Sequence, residues 1–122
     1  MVKDIKGPLF RTFYLTLEDD DELRRVAVDT DRTEQELIRE LLAEGIKKEY
    51  SRYPALKEAL PASVTDGDFP WAWLPGHTVK KTVVLSPEED YEVRRIAFAQ
   101  GRIAGNLFRS FVMDALKRRR PR

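Results

Sequence analysis

The chain has 122 residues, of which 42% are hydrophobic and 35% charged, with a single histidine and no cysteine. This composition predicts one compact domain over residues 1–122 and excludes disulfides, thiolate metal sites and a cysteine nucleophile. The lone His77 cannot form a paired-imidazole metal site, and neither a Ser-His-Asp order nor a glycine-rich phosphate loop accompanies it. We therefore expect no enzyme activity, no metal site and no cofactor.

The net charge of +1 conceals a difference between the two halves of the chain. Residues 1–76 carry 11 Lys and Arg against 16 Asp and Glu, a balance of −5, whereas residues 77–122 carry 11 against 5, a balance of +6. Positive potential is thus expected in the C-terminal half. No apolar run approaches the ~18 residues of a membrane span and no leader resembles a signal peptide, so we expect no membrane partner and a cytoplasmic, nucleoid-associated location.

The first predicted element is a strand over residues 12–16, where β-branched and aromatic side chains dominate. A helix follows, with Thr16 and Asp19 in a capping arrangement and an end near Asp31. Its core face is formed by three residues at helical spacing, Leu23, Val26 and Ala27. The alternative explanation of the carboxylates at residues 18–22, a catalytic cluster, is less favoured than acidic charge at a helix start.

A second helix is predicted to begin at Thr33, which forms a capping box with Glu36. Its buried stripe consists of Leu37, Ile38, Leu41, Leu42 and Ile46. Residues 51–78 then contain four prolines and read as a crossover linker, with one helical turn predicted over residues 55–60. For Trp71 and Trp73 in this linker, covering a core edge is favoured over forming a protein-interaction surface.

The second half of the chain repeats the first at an offset of 70 residues. Residues 11–48 align with residues 81–118 without a gap, and 12 of the 38 aligned positions are identical. The second repeat has a strand over residues 82–85, a capping box at Ser86 and Glu89, and a helix stop at Gly101. Its apolar stripes consist of Val93, Ile96, Ala97, Leu107, Phe108, Phe111, Val112 and Leu116.

Neither repeat is self-sufficient, because about 38 residues bury too little surface and a single strand leaves its hydrogen bonds unpaired. Each repeat therefore needs the other, and the linker is long enough to permit pairing within one chain. The predicted fold class is mainly α with a two-stranded antiparallel β-ribbon, formed by residues 9–50 and 79–120 as an intrachain pseudo-dimer. Pairing between chains remains the alternative.

This pattern resembles the ribbon-helix-helix family of the Arc and MetJ repressors. The resemblance is carried by Leu85-Ser86-Pro87-Glu88-Glu89, Val93-Arg94-Arg95-Ile96-Ala97, Gly101-Arg102 and Leu107-Phe108-Arg109, and by its repetition at one offset. Two departures are Asp31 at the turn-glycine position and Ile103 where Ser or Thr normally caps the second helix. The resemblance implies sequence-specific binding of double-stranded DNA, with a homodimer of chains on DNA.

In such a ribbon, alternate side chains face opposite sides, so Phe13, Leu15, Val83 and Leu85 would cover the helices. The opposite face would enter the major groove and contact bases through Phe10, Thr12, Tyr14, Lys80, Thr82 and Val84. An ordinary exposed strand face, or aromatics packed beneath the linker, is the alternative for this set.

Phosphate contacts are implied at the start of each second helix, where the resemblance places free backbone N–H groups. These positions are Thr33, Glu34, Ile103, Ala104 and Gly105, with the second set favoured because Glu34 and Glu36 oppose an anion and Gly105 permits close approach. Arg94 and Arg95 are further candidates, as are Arg24 and Arg25, although solvent-facing roles are favoured for at least one of each pair. The basic tail at residues 117–122 is equally consistent with phosphate attraction and with a solvated helix end.

Three functions remain open at this stage. A transcriptional repressor or regulator is the first, and an accessory DNA-binding protein of plasmid conjugation, replication or partition is the second. The third is an antitoxin-like protein-interaction module, in which the acidic first repeat no longer faces DNA.

Overall fold

The computed structural model describes residues 8–58 and 67–119. Strands β1 (Leu9–Leu15) and β2 (Val79–Leu85) are each followed by two helices. These are α1 (Leu17–Asp29) and α2 (Glu34–Arg52) after β1, then α3 (Pro87–Gln100) and α4 (Ala104–Arg118) after β2. A 3₁₀ turn at Pro54–Glu58 follows α2, within the first part of the predicted linker. The protein is mainly helical with one two-stranded antiparallel sheet, which confirms this part of the predicted fold class.

The register of the sheet is centred on two equivalent residues of the repeats. Thr12 lies opposite Thr82, and the pairing extends from Leu9 with Leu85 to Leu15 with Val79. Thr82 lies 70 positions after Thr12, so the central pair joins two equivalent residues of the repeats. Because the strands are antiparallel, residues before this pair in one strand lie opposite residues after it in the other. β1, α1 and α2 likewise begin 70 residues before β2, α3 and α4.

The two faces of this ribbon differ as the alternation of side chains predicts. Phe13, Leu15 and Val83 are fully buried, and Leu85 is 1% exposed, so these four side chains form the floor of the core. Each fully buried Leu or Phe stabilises the fold by about 1.5–3 kcal/mol relative to an exposed position. The burial pattern confirms which ribbon face is covered by the helices.

The helix starts and stops follow the local sequence. Ser86 with Glu89 and Thr33 with Glu36 form complete capping boxes, and the Thr16 side chain accepts from the backbone N–H of Asp19. Ile103 makes no side-chain cap at α4, as predicted from its type.

The first repeat turns at Asp31, which stands where the second repeat has Gly101. Asp31 has φ of 55° and Gly101 has φ of 64°, so both adopt the left-handed conformation. Asp tolerates this region better than most residues, although glycine adopts it without steric cost. The departure in sequence is therefore not a departure in backbone.

Helices α2 and α4 cross closely at Gly45. A Cβ atom added to Gly45 would lie 2.6 Å from the Cβ of Phe111 and 3.1 Å from its Cα, so only glycine fits this crossing. The repeat-equivalent residues of this pair are Ala115 and Leu41, both fully buried. At the crossing, the small residue Gly45 of α2 therefore packs against the large side chain of Phe111 of α4.

Two buried ion clusters tie the ribbon to the helix starts. Arg11 Nε lies 2.7 Å from Asp90 Oδ1, and Arg94 Nε lies 2.8 Å from Asp90 Oδ2, with Asp90 fully buried. At the equivalent site of the other repeat, Lys81 lies 2.6 Å from Asp20, which also pairs with Arg24. Each strand therefore places a cationic side chain against the first helix of the other repeat.

Candidate nucleic-acid interface

The outer face of the ribbon carries all six side chains that the sequence predicts for base contact. Phe10 is 62% exposed, and Lys80 and Thr82 are also exposed. Thr12, Tyr14 and Val84 are half-buried. The structure thus brings these residues together on one surface, and contact with DNA stays a prediction.

Side chains from other parts of the chain hydrogen-bond to backbone groups on both free edges of this ribbon. On the β2 edge, Gln35 Nε2 donates to the Val84 carbonyl at 2.7 Å, and Gln35 Oε1 accepts from the Val84 N–H at 3.0 Å. On the β1 edge, Asp68 Oδ1 accepts from the Thr12 N–H at 2.9 Å. Because an open strand edge invites pairing with another chain, these bonds reduce that tendency at Val84 and Thr12.

The first turn of α2 flanks the ribbon beside Val84. Within it, Thr33 and Glu36 satisfy each other's backbone N–H groups at 2.9 and 3.0 Å. The N–H groups of Glu34 and Gln35 belong to the first turn, where no intrahelical acceptor exists. These two donors are suited to an anion at the positive end of the helix.

The charge of the two glutamates at this flank is partly compensated. Lys81 Nζ lies 2.6 Å from Glu34 Oε1 and 2.6 Å from Asp20 Oδ1, so it offsets part of the Glu34 charge. Burial lowers the pKa of Lys81, but its hydrogen bonds to Asp20 and Glu34 outweigh this and leave the pKa raised. Hydrogen bonds from Thr33 lower the pKa of Glu36, which therefore stays ionised and engaged in the capping box at neutral pH.

The start of α4, favoured from the sequence as the better phosphate contact, is occupied by the linker. The Gly105 N–H donates to the Pro70 carbonyl at 2.9 Å, and Ala104 and Gly105 are buried. A Cβ atom on Gly105 would lie 2.5 Å from the same carbonyl oxygen. Gly105 does permit a close backbone approach, but the approaching group is Pro70. We therefore withdraw the preference for Ile103, Ala104 and Gly105 over the α2 side.

The predicted arginine contacts also change. Arg94 has a side chain only 10% exposed, pairs with Asp90, and donates to the Gly67 carbonyl at 2.7 Å. Arg94 is withdrawn as a phosphate contact, because these bonds and the Phe69 ring, 5.0 Å from its guanidinium, hold it in the interior. Arg95 is half-buried, and its phosphate contact stays a prediction. Burial and the hydrogen bond to Glu92 raise the pKa of Tyr50, and the charge of Arg95 offsets only part of this rise.

Tryptophans of the linker border the same surface. The Trp71 ring packs on Tyr14, an outer-face residue, with centroids 5.0 Å apart, so Tyr14 follows the alternative of an aromatic packed beneath the linker. Trp73 is 70% exposed, so the predicted core-edge role is wrong for Trp73. The predicted turn over residues 55–60 falls at Pro54–Glu58, and residues 59–66 lie outside the described ranges, as do residues 1–7 and the last three residues of the basic tail.

Four residues that the sequence interpretation did not single out complete the site. Gln35, Asp68 and Asn106 hydrogen-bond strand edges or extended chain, and Phe69 packs on Phe108 with centroids 5.5 Å apart. A polar residue in a first helical turn or a loop gives no periodic signal for such a partner. Only the Asp–Phe–Pro order before two tryptophans hinted at a folded linker.

No protein-family model, curated protein or solved structure matches the chain. Within residues 8–58 and 67–119, no group of three metal-ligating side chains comes together, and no helix is long and apolar enough to cross a membrane.

Proposed function

We propose that the chain is a tandem ribbon-helix-helix pseudo-dimer that binds double-stranded DNA through the outer face of its ribbon. The observation that carries this proposal is the pairing of Thr12 with Thr82 at the centre of the ribbon. Because this pair joins equivalent residues of two antiparallel strands, the proposed pseudo-dimer has an approximate two-fold axis that passes through it. A two-stranded ribbon has the width that the major groove accepts.

The chemistry of the outer face suits base edges. The hydroxyl of Thr82 can donate to or accept from a base, and the Lys80 ammonium can donate to guanine or to phosphate. Lys80 and Thr82 are exposed, and Val84 adds an apolar surface for a thymine methyl group. Base contacts are assigned first to β2, because Tyr14 on β1 is packed against Trp71.

The phosphate contact is assigned to the first turn of α2. Its Glu34 and Gln35 N–H groups lie beside the ribbon, since the Gln35 side chain is bonded to Val84. Lys81 offsets part of the Glu34 charge that would otherwise repel phosphate. One chain supplies one ribbon, so we further propose that two chains occupy neighbouring sites on DNA, in the role of a transcriptional regulator.

Fluorescence anisotropy with a labelled duplex of about 20 base pairs, two helical turns, tests the proposal. The intact chain is expected to bind with an affinity that falls as salt rises. Lys80→Ala should weaken binding and reduce the salt slope by about one. The matched control is Lys48→Ala, which removes one exposed cation ~20 Å along α2 from its first turn.

Two results would overturn the proposal. One is no binding of any duplex at low salt, which would favour the protein-interaction alternative. The other is an equal loss of affinity in Lys80→Ala and Lys48→Ala, since a generic charge effect does not need the ribbon.

A further inference from the structure

The linker segment before β2 carries an exposed tryptophan next to a residue whose backbone is hydrogen-bonded to α4. Trp73 is 70% exposed, although the residue before it is held by two hydrogen bonds. The Ala72 N–H donates to Asn106 Oδ1 at 3.0 Å, and Asn106 Nδ2 donates to the Ala72 carbonyl at 3.3 Å. An exposed indole on a mobile loop needs no explanation, but here the backbone is fixed to the first turn of α4.

Further contacts hold the rest of this segment. Upstream, Phe69 is 5% exposed and the Pro70 carbonyl accepts from Gly105. Downstream, the His77 N–H donates to the Leu74 carbonyl at 3.1 Å, and the His77 ring meets Trp71 edge-on at 6.2 Å. Trp73 is thus positioned between α4 and the turn that leads into β2.

This anchoring makes the two flanks of the ribbon chemically different. At the α2 flank, a helix start presents backbone N–H groups. At the α4 flank, the Gly105 N–H is bonded to Pro70. Trp71 lies on the outer-face residue Tyr14, and Ala72 is bonded to Asn106 in the first turn of α4. The exposed Trp73 is therefore two residues from a side chain that packs on the outer face, at the α4 flank.

We propose that Trp73 is a DNA-contacting residue that takes the place of the backbone phosphate contact at the start of α4. Its indole N–H, a donor only, is suited to a phosphate oxygen, and its ring is suited to the adjacent deoxyribose. This inference rests on the proposed DNA binding. It adds that the two flanks use different chemistry, so the preferred site is not a palindrome about the centre of one ribbon.

Tryptophan fluorescence tests the contact directly, because Trp71 and Trp73 are the two tryptophans of the chain. In a Trp71→Phe variant, which keeps an aromatic ring on Tyr14, all indole emission comes from Trp73. Duplex DNA is added while anisotropy of a label on the DNA reports binding. We expect Trp73 emission to change in step with binding, and its quenching by acrylamide to decrease at saturation.

Affinity provides the second readout. Trp73→Ala is expected to weaken duplex binding about tenfold, a typical cost of losing one hydrogen bond to a charged group such as phosphate. The control is Phe98→Ala on α3, which removes another exposed aromatic side chain, 62% exposed, and should leave affinity unchanged. Equal thermal midpoints of the two variants would show that both remain folded.

The outcomes separate this inference from the function on which it rests. Binding by anisotropy with unchanged Trp73 emission and an unaffected Trp73→Ala variant overturns the contact and leaves the proposed function standing. No binding by the intact chain overturns both.

Discussion

Arg11 and Lys81 occupy strand positions whose side chains point toward the helices. Alternation in the sequence places an inward residue there, and a charged residue at such a position is an apparent conflict with a buried face. The conflict is resolved by Asp90 and Asp20, each buried at the start of a first helix of the other repeat. Sequence reasoning missed these pairs, because each partner belongs to a different repeat.

Removal of Asp90 tests the weight of one cluster. Asp90→Ala leaves Arg11 and Arg94 buried without their carboxylate, and the free energy of unfolding should fall by about 3–5 kcal/mol. Asp114→Ala, which removes an exposed carboxylate on α4, should change it by less than about 0.5 kcal/mol. Urea denaturation followed by circular dichroism measures both. Similar small effects in the two variants would show that the cluster contributes little.

At the scale of single elements, the helix starts and the position of the first turn could be predicted, but the left-handed backbone at Asp31 could not. Capping boxes are local patterns, and Ser86 and Thr33 form the bonds that their sequences predict. Asp31 stood out as a departure because glycine is the usual residue of a left-handed turn. The backbone nevertheless adopts φ of 55° there, so the fold imposes this conformation on a less suitable residue.

Replacing this residue should stabilise the protein. Asp31→Gly relieves the left-handed strain, partly offset by the greater freedom of glycine in the unfolded chain, and should raise the free energy of unfolding by about 0.5–1 kcal/mol. Asp21→Gly, at an exposed position inside α1, should lower it by a similar amount because glycine is a poor helix former. Thermal unfolding compares the two. A destabilised Asp31→Gly variant would contradict the argument and assign the aspartate side chain a role of its own.

The crossing of α2 and α4 depends on one small residue. Gly45→Ala places a methyl group against Phe111 and should destabilise the fold by about 1–3 kcal/mol, despite the better helix propensity of alanine. Combining it with Phe111→Ala, which removes the Cγ atom and the ring that the new methyl group would meet, should cost less than the sum of the single changes. A double-mutant cycle by urea denaturation measures this coupling, and strict additivity would show that the two residues are independent.

For the whole molecule, the repeat was sufficient to predict the helices, the antiparallel ribbon and its two faces. It was not sufficient to predict the course of the linker. The linker has no hydrophobic period, and its hydrogen-bond partners Thr12, Gly105 and Asn106 come together only after the repeats pair. The same interactions removed the predicted phosphate contact at the start of α4, which had been inferred from one repeat at a time.

Pairing of the repeats within one chain has a direct consequence for unfolding. β1 pairs with β2 of the same polypeptide, and the proposed pseudo-dimer therefore folds in a unimolecular step. The thermal midpoint of the free protein should therefore be independent of protein concentration over a hundredfold range, whereas a fold assembled from two chains becomes more stable as concentration rises. Differential scanning calorimetry at both concentrations checks this. A midpoint that rises with concentration would assign the ribbon to two chains.

The central claim, that the outer face of the ribbon contacts duplex DNA, is tested most directly by amide chemical-shift mapping during a titration with duplex. The largest changes are expected at Thr12 and Thr82, with further changes at Glu34, Gln35 and the Trp73 indole. Changes centred instead on the groove between α2 and α3, which Leu42, Ile46 and Glu92 line, or no changes at saturating duplex, would contradict the claim.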